Sequence, residues 1–101
     1  MEVKMEIRIK SLKFDADQRL LDYIDKKVSR LARFDEKVGE VEVTLSLLQE
    51  PNNKNCKLRM RGSTGEQILE RNASNFEDAV SAAVDAMKEK LTRAREKMIE
   101  K

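Results

Sequence analysis

The chain has 101 residues, 40% of them charged, with a formal net charge of +2; that length allows one domain with a single small core, and the absence of a long apolar run excludes a membrane span or signal peptide and fits a soluble, cytoplasmic-type protein. A single cysteine, Cys56, and no histidine exclude an intramolecular disulfide and leave neither a CxxC pair nor a carboxylate-histidine cluster to hold a metal. The net charge is too small to argue for nucleic acid by itself, so what matters is how unevenly the charges are spread.

Val3, Met5, Ile7 and Ile9 alternate with Lys4, Glu6, Arg8 and Lys10, the period of a strand with one buried face, over residues 2–10. Its polar side, Lys4, Arg8 and Lys10, reads equally as a solvated sheet face or as a contact surface. Asp15 and Gln18 then stand at capping-box spacing, and Leu20, Leu21, Ile24, Val28 and Leu31 recur at helical intervals. This predicts a helix over residues 16–33 whose polar face carries Lys26, Lys27, Arg30 and Arg33. Val41, Val43, Leu45 and Leu47 against Glu40, Glu42, Thr44 and Ser46 mark a second strand. The segment EPNNKN marks a turn, and Cys56, Leu58 and Met60 against Lys57, Arg59 and Arg61 mark a third strand, together a hairpin. Cys56 occupies a core position there and reads as a small hydrophobe rather than a reactive thiol.

Lys54, Lys57, Arg59 and Arg61 form a basic group with no acid between Pro51 and Gly65. Glu40 and Glu42 oppose it across the hairpin, which favours cross-strand ion pairs over RNA contact for Arg59 and Arg61; Lys54 and Lys57, nearer the tip, stay open. After GSTG, residues 66–72 supply a fourth strand whose register is not fixed, because Ile68, Leu69 and Arg71 break clean alternation. Ser74 and Glu77 form a capping box opening the last helix, which buries Phe76, Val80, Ala83, Val84, Met87, Leu91, Ala94 and Met98. That helix starts with Glu77, Asp78 and Asp85 and ends in a basic stripe, Lys90, Arg93, Lys97 and Lys101, at spacings of three, four and four. Acid first and base last is also what the helix dipole favours, so on a lone helix stabilisation explains the polarity without a ligand.

The fold class is α+β: the order β-α-β-β-β-α, a four-stranded mixed sheet with two helices packed on one face. The crossover helix makes strands one and two parallel neighbours through a right-handed connection, and the short later connections make the rest antiparallel. Each strand has one apolar face, so both helices lie on the same side. If their exposed sides adjoin, Lys27, Arg30 and Arg33 join Lys90, Arg93 and Lys97 in one basic surface. Only four aromatics, Phe14, Tyr23, Phe34 and Phe76, leave no row of stacking platforms on a strand, which argues against sequence-reading of single-stranded RNA by the sheet.

The segments MEIRIKSLKFDADQRLLDYIDKKVSRLARF, VEVTLSLL and NFEDAVSAAVDAMKEKLTRAREK resemble the ribosome hibernation promoting factor and ribosome-associated inhibitor A family over nearly the whole chain. The most specific parts are Lys27, Arg30 and Leu31 in the first helix, and the acidic-aromatic entry to the last helix followed by Ala79-Val80, Val84-Asp85, Leu91 and the ending Arg93, Arg95 and Lys97. The resemblance implies the fold just described and a protein of stress or stationary phase that sits between head and body of the small ribosomal subunit. There it would cover the messenger path and the aminoacyl and peptidyl transfer-RNA sites. Lys27, Arg30, Arg93, Arg95 and Lys97 would contact ribosomal RNA, with Lys26, Arg33, Lys90 and Lys101 as supporting cations, all acting on phosphate; no cofactor is implied.

Two departures stand out. Family members often carry Lys directly after the acid at the position of Asp85, where this chain has Ala86, so one contact is missing. Longer members add a C-terminal domain that pairs two ribosomes, whereas this sequence ends soon after the last helix. The resemblance therefore implies a single ribosome-binding domain over residues 1–101, with ribosome pairing left to a separate factor or with no pairing at all; a piece of a longer protein would read the same. A general double-stranded RNA-binding module and a homodimerising scaffold with a self-pairing sheet are the alternatives from other classes. An enzyme is the least expected, for want of a histidine, a Gly-rich phosphate loop or an activated nucleophile.

Overall fold

Alternating and helical periods resolve, in the computed structural model of the chain, into β1 (Glu6–Ser11), α1 (Gln18–Ser29), a 3-10 turn (Arg30–Arg33), β2 (Glu40–Leu47), β3 (Lys54–Gly62), β4 (Gly65–Ala73) and α2 (Phe76–Ile99). The structure describes residues 6–12, 14–33, 39–49, 53–62 and 65–99, with 32 and 94–99 described by their backbone alone. The expected start of strand one, with Val3, Lys4 and Met5, lies outside the described residues. Strand order is β1-β2-β3-β4, with β1 parallel to β2 and the other pairs antiparallel, as the crossover helix and short turns require.

One core holds the sheet and helices together. Ile24, Val28 and Leu31 from the first helical segment, Val41, Val43 and Leu45 from β2, Cys56, Leu58 and Met60 from β3, and Ala79, Val80, Ala83, Val84, Met87 and Leu91 from α2 are buried in a single cluster. Both helices therefore cover the same face of the sheet. The alanines at 79 and 83, with no solvent exposure, let α2 approach closely where a longer side chain would stand it off. Phe14, just before α1, stacks on Phe76, the first residue of α2, with ring centroids 4.8 Å apart, and clasps the starts of the two helices.

Several boundaries differ from the sequence expectation. Leu47 is 45% exposed, because β2 runs past the cover of the helices. Regular α1 ends at Ser29, and Arg30–Arg33 tighten into a 3-10 turn, which still buries Leu31. The first cap is Asp17, not Asp15: its backbone is extended and its carboxylate accepts from Leu20 N at 2.9 Å, while Gln18 donates to Asp22 at 2.8 Å. The second capping pair shifts too, by one residue where the first shifts by two. Asn75 Oδ1 accepts from Asp78 N at 2.8 Å and Asn75 Nδ2 donates to the Asp78 carboxylate at 3.1 Å, so Asn75, rather than Ser74, satisfies the exposed amides.

β4 settles its register by placing Leu69 opposite Leu58, and Gln67 opposite Met60. Its inward side is only half covered, as befits an edge strand, which is why its alternation looked broken. Gly65 closes the β3–β4 turn at φ +93, a left-handed conformation that other residues adopt only with strain. Among the described residues no helix is long and apolar enough to cross a membrane, and no group of three or more side chains could hold a metal ion.

Candidate nucleic-acid interface

The inner face of the first helical segment is held by Ile24, Val28 and Leu31, all without solvent exposure. Helical geometry then turns Lys26, Arg30 and Arg33 outward, at spacings of four and three, and all three are exposed. Arg19, in the first turn and seven residues before Lys26, is exposed on that same side; sequence reasoning missed it, although the spacing was its signal. Lys27 is half-buried, with Nζ 5.7 Å from the Tyr23 ring centroid, close enough for the ring face to steady the ammonium. Among the described residues, none of Arg19, Lys26, Lys27, Arg30 and Arg33 is paired with a carboxylate. The row is charge without internal compensation.

The cations of α2 are differently placed. Lys88 lies 3.6 Å from Asp85, and Arg93 Nη2 lies 2.6 Å from the Glu89 carboxylate, both local pairs along the helix. Lys90 Nζ donates to the backbone oxygen of Ile68 at 3.2 Å. Ile68 belongs to β4, the edge strand at the far side of the sheet from β1, whereas α1 packs against β1 and α2. Lys90 therefore leaves α2 on the flank away from α1, and the expected single basic surface spanning both helices does not include it. Arg95 and Lys97 fall in the part of α2 described by backbone alone, and Lys101 lies outside the described residues.

The uncovered sheet face carries charge too, but balanced charge. The register sets Glu40 opposite Arg61 and Glu42 opposite Arg59, as expected across the hairpin. The close partner, however, is Glu66 on β4. Its carboxylate accepts a hydrogen bond from Arg59 and lies 3.7 Å from Arg61, because β4 is antiparallel to β3 and brings Glu66 directly opposite Arg61. The hydrogen bond from Arg59 holds the Glu66 carboxyl below its ordinary range. Arg8 closes the other side, 3.4 Å from Glu6 and 3.5 Å from Glu40. Arg8, Glu40, Glu42, Arg59 and Arg61 ring a shallow cleft of about 220 Å³ in which each sign is met by the other.

Cys56 has no solvent exposure, and burial pushes its thiol up to about 12. A thiol that stays protonated at neutral pH is core, not nucleophile.

A family profile described as Sigma 54 modulation protein / S30EA ribosomal protein matches residues 7–99. No curated protein sequence matches the chain. Among solved structures, the Thermus thermophilus Protein Y N-terminal domain is similar with a TM-score of 0.77 at 22% identity, over 88% of this chain and 98% of that one. A ribosomal subunit interface protein from Coxiella burnetii is similar with a TM-score of 0.81 at 12% identity, over 90% of this chain and 98% of that one. At these identities the structural likeness concerns the fold.

Proposed function

The chain belongs to the Sigma 54 modulation protein / S30EA ribosomal protein family, the same family its sequence resembles, and from that premise we propose that it is a ribosome hibernation factor. It binds the small ribosomal subunit in the messenger and transfer-RNA channel and blocks translation in the cytoplasm under stress or in stationary phase. The observation that carries this is the row Arg19, Lys26, Arg30 and Arg33, with Lys27 beside it, none of them neutralised by a carboxylate among the described residues. A rigid helical row of uncompensated cations suits a phosphate backbone: it releases counterions on binding and loses little entropy in doing so.

Lys26, Lys27, Arg30 and Arg33 are the phosphate contacts favoured by geometry. Arg93, Arg95, Lys97 and Lys101 join them on the family pattern, and Lys90 contributes least because its ammonium is already bonded to Ile68. Inhibition works by steric occupation, so no transition state has to be stabilised and no cofactor is called on. The sheet and its two helices act together as one ribosome-binding unit.

Co-sedimentation of the protein with vacant ribosomes and separated subunits, with and without transfer RNA in the decoding sites, tests this directly. Binding to the small subunit that transfer RNA abolishes is the expected result. Binding that ignores transfer RNA would instead fit a general duplex-RNA module, and no binding at all would overturn the proposal. Lys26→Glu with Arg30→Glu should remove the association while leaving the circular dichroism spectrum unchanged.

A further inference from the structure

The last row of the uncovered sheet face is neither charged nor apolar. Ser46 of β2, Asn55 of β3 and Asn72 of β4 stand side by side in register. Ser46 Oγ donates to Asn55 Oδ1 at 3.3 Å, and Asn55 Nδ2 donates to Asn72 Oδ1 at 2.5 Å. Asn55 is only 7% exposed, the one buried polar residue among those described, although it sits on the face that no helix covers. Ser46, Leu48, Asn55, Glu70, Arg71 and Asn72 line a cleft of about 360 Å³ at this row. Lys57, exposed and two residues from Asn55 on the same strand face, stands at its margin opposite Glu70.

The hydrogen-bonding capacity left over in this cleft has a definite character. Asn72 spends its carbonyl oxygen on Asn55 and keeps its amide N–H groups, whereas Arg71, in register with core Cys56, leaves the strand toward the covered face and donates to Glu70 O at 2.8 Å. Among the described residues nothing is paired with the Glu70 carboxylate or with the Lys57 ammonium. The cleft thus offers amide donors, one carboxylate acceptor and the apolar wall of Leu48, with the Lys57 cation, unpaired among the described residues, at its margin. Guanine presents an acceptor at O6, which suits the Asn72 amide, and donors at N1 and N2, which suit the Glu70 carboxylate two residues away on the same strand face; a neighbouring phosphate suits Lys57.

We propose that this cleft holds one unpaired nucleotide of RNA, with guanine preferred. The site lies on the opposite face of the sheet from the α1 row and does not depend on how that row is used. It has no aromatic platform, so it adds selectivity at one position rather than most of the affinity.

The test is a ¹⁵N-resolved NMR titration of the whole chain with the pentaribonucleotides UUGUU and UUAUU. Saturable shifts of the Asn55 and Asn72 side-chain amides are expected, with UUGUU bound roughly tenfold more tightly. Glu70→Gln should abolish that preference, and Asn72→Ala should weaken UUGUU binding roughly tenfold while the amide spectrum stays dispersed. Equal binding of the two oligonucleotides by the native protein, or shifts confined to α1, would overturn the proposal and leave the row as a cross-strand brace. So would a Glu70→Gln variant that keeps the guanine preference. Repeating the titration on Lys26→Glu/Arg30→Glu separates the two sites, since the cleft response should survive there.

Discussion

Cys56 pairs in register with Leu45 on one side and Arg71 on the other and has no exposure, so its thiol is governed by desolvation. Burial raises it from an ordinary value of 9.0 to about 12. Above pH 9 the unfolded chain releases a proton that the folded chain retains, so the folded state is favoured fully below that pH and progressively less as pH climbs toward 12. The expected outcome is a fall in unfolding free energy between pH 8 and pH 10.5 that is smaller in Cys56→Ala, read from urea melts of both proteins. The difference between the two proteins isolates the thiol. The same residue should resist a thiol reagent at pH 8 until denaturant is added.

At the scale of elements, two small contacts separate what caps and edges do from what the charge pattern suggested. Asn75 exchanges hydrogen bonds with Asp78 at the start of α2, whereas neighbouring Ser74 is exposed outside the helix. Asn75→Ala should cost about 1 kcal/mol, a drop of roughly 4–8 °C in Tm for a domain of this size, and Ser74→Ala should be close to neutral; thermal melts decide between them. Lys90 lies over the open edge of β4 through Ile68 O, where a lysine discourages strand addition by another chain. Lys90→Glu should therefore weaken ribosome association less than Arg30→Glu does, and the comparison needs only co-sedimentation of the two variants at one salt concentration.

Across the whole molecule, the two faces differ in how charge is compensated rather than in how much they carry. On the sheet, Arg8, Arg59 and Arg61 are matched by Glu6, Glu40 and Glu66, exposed pairs that contribute little to stability and leave little field for a polyanion. On α1 and the 3-10 turn that continues it, the cations are unmatched among the described residues. Arg30→Gln should lower the slope of log affinity against log salt by about 0.7–0.9, one phosphate contact's worth, while Arg59→Gln should leave the slope unchanged. Much of this was readable beforehand. Alternation in β2 and β3, the helical apolar stripes and the crossover length were enough for the element order, the parallel β1–β2 pair and the shared face of the helices, because burial of one face is a local property of spacing. The α1 cations were readable for the same reason, Arg19 excepted. The pairing of Glu66 with Arg59, the departure of Lys90 toward β4 and the Ser46–Asn55–Asn72 row were not, because each joins residues that only strand register or helix packing brings within reach. The sequence by itself determined which faces are buried and where charge lies along each element; only the tertiary structure decided which charges neutralise one another and which are left for a partner, since compensation depends on distances between elements that no linear spacing contains.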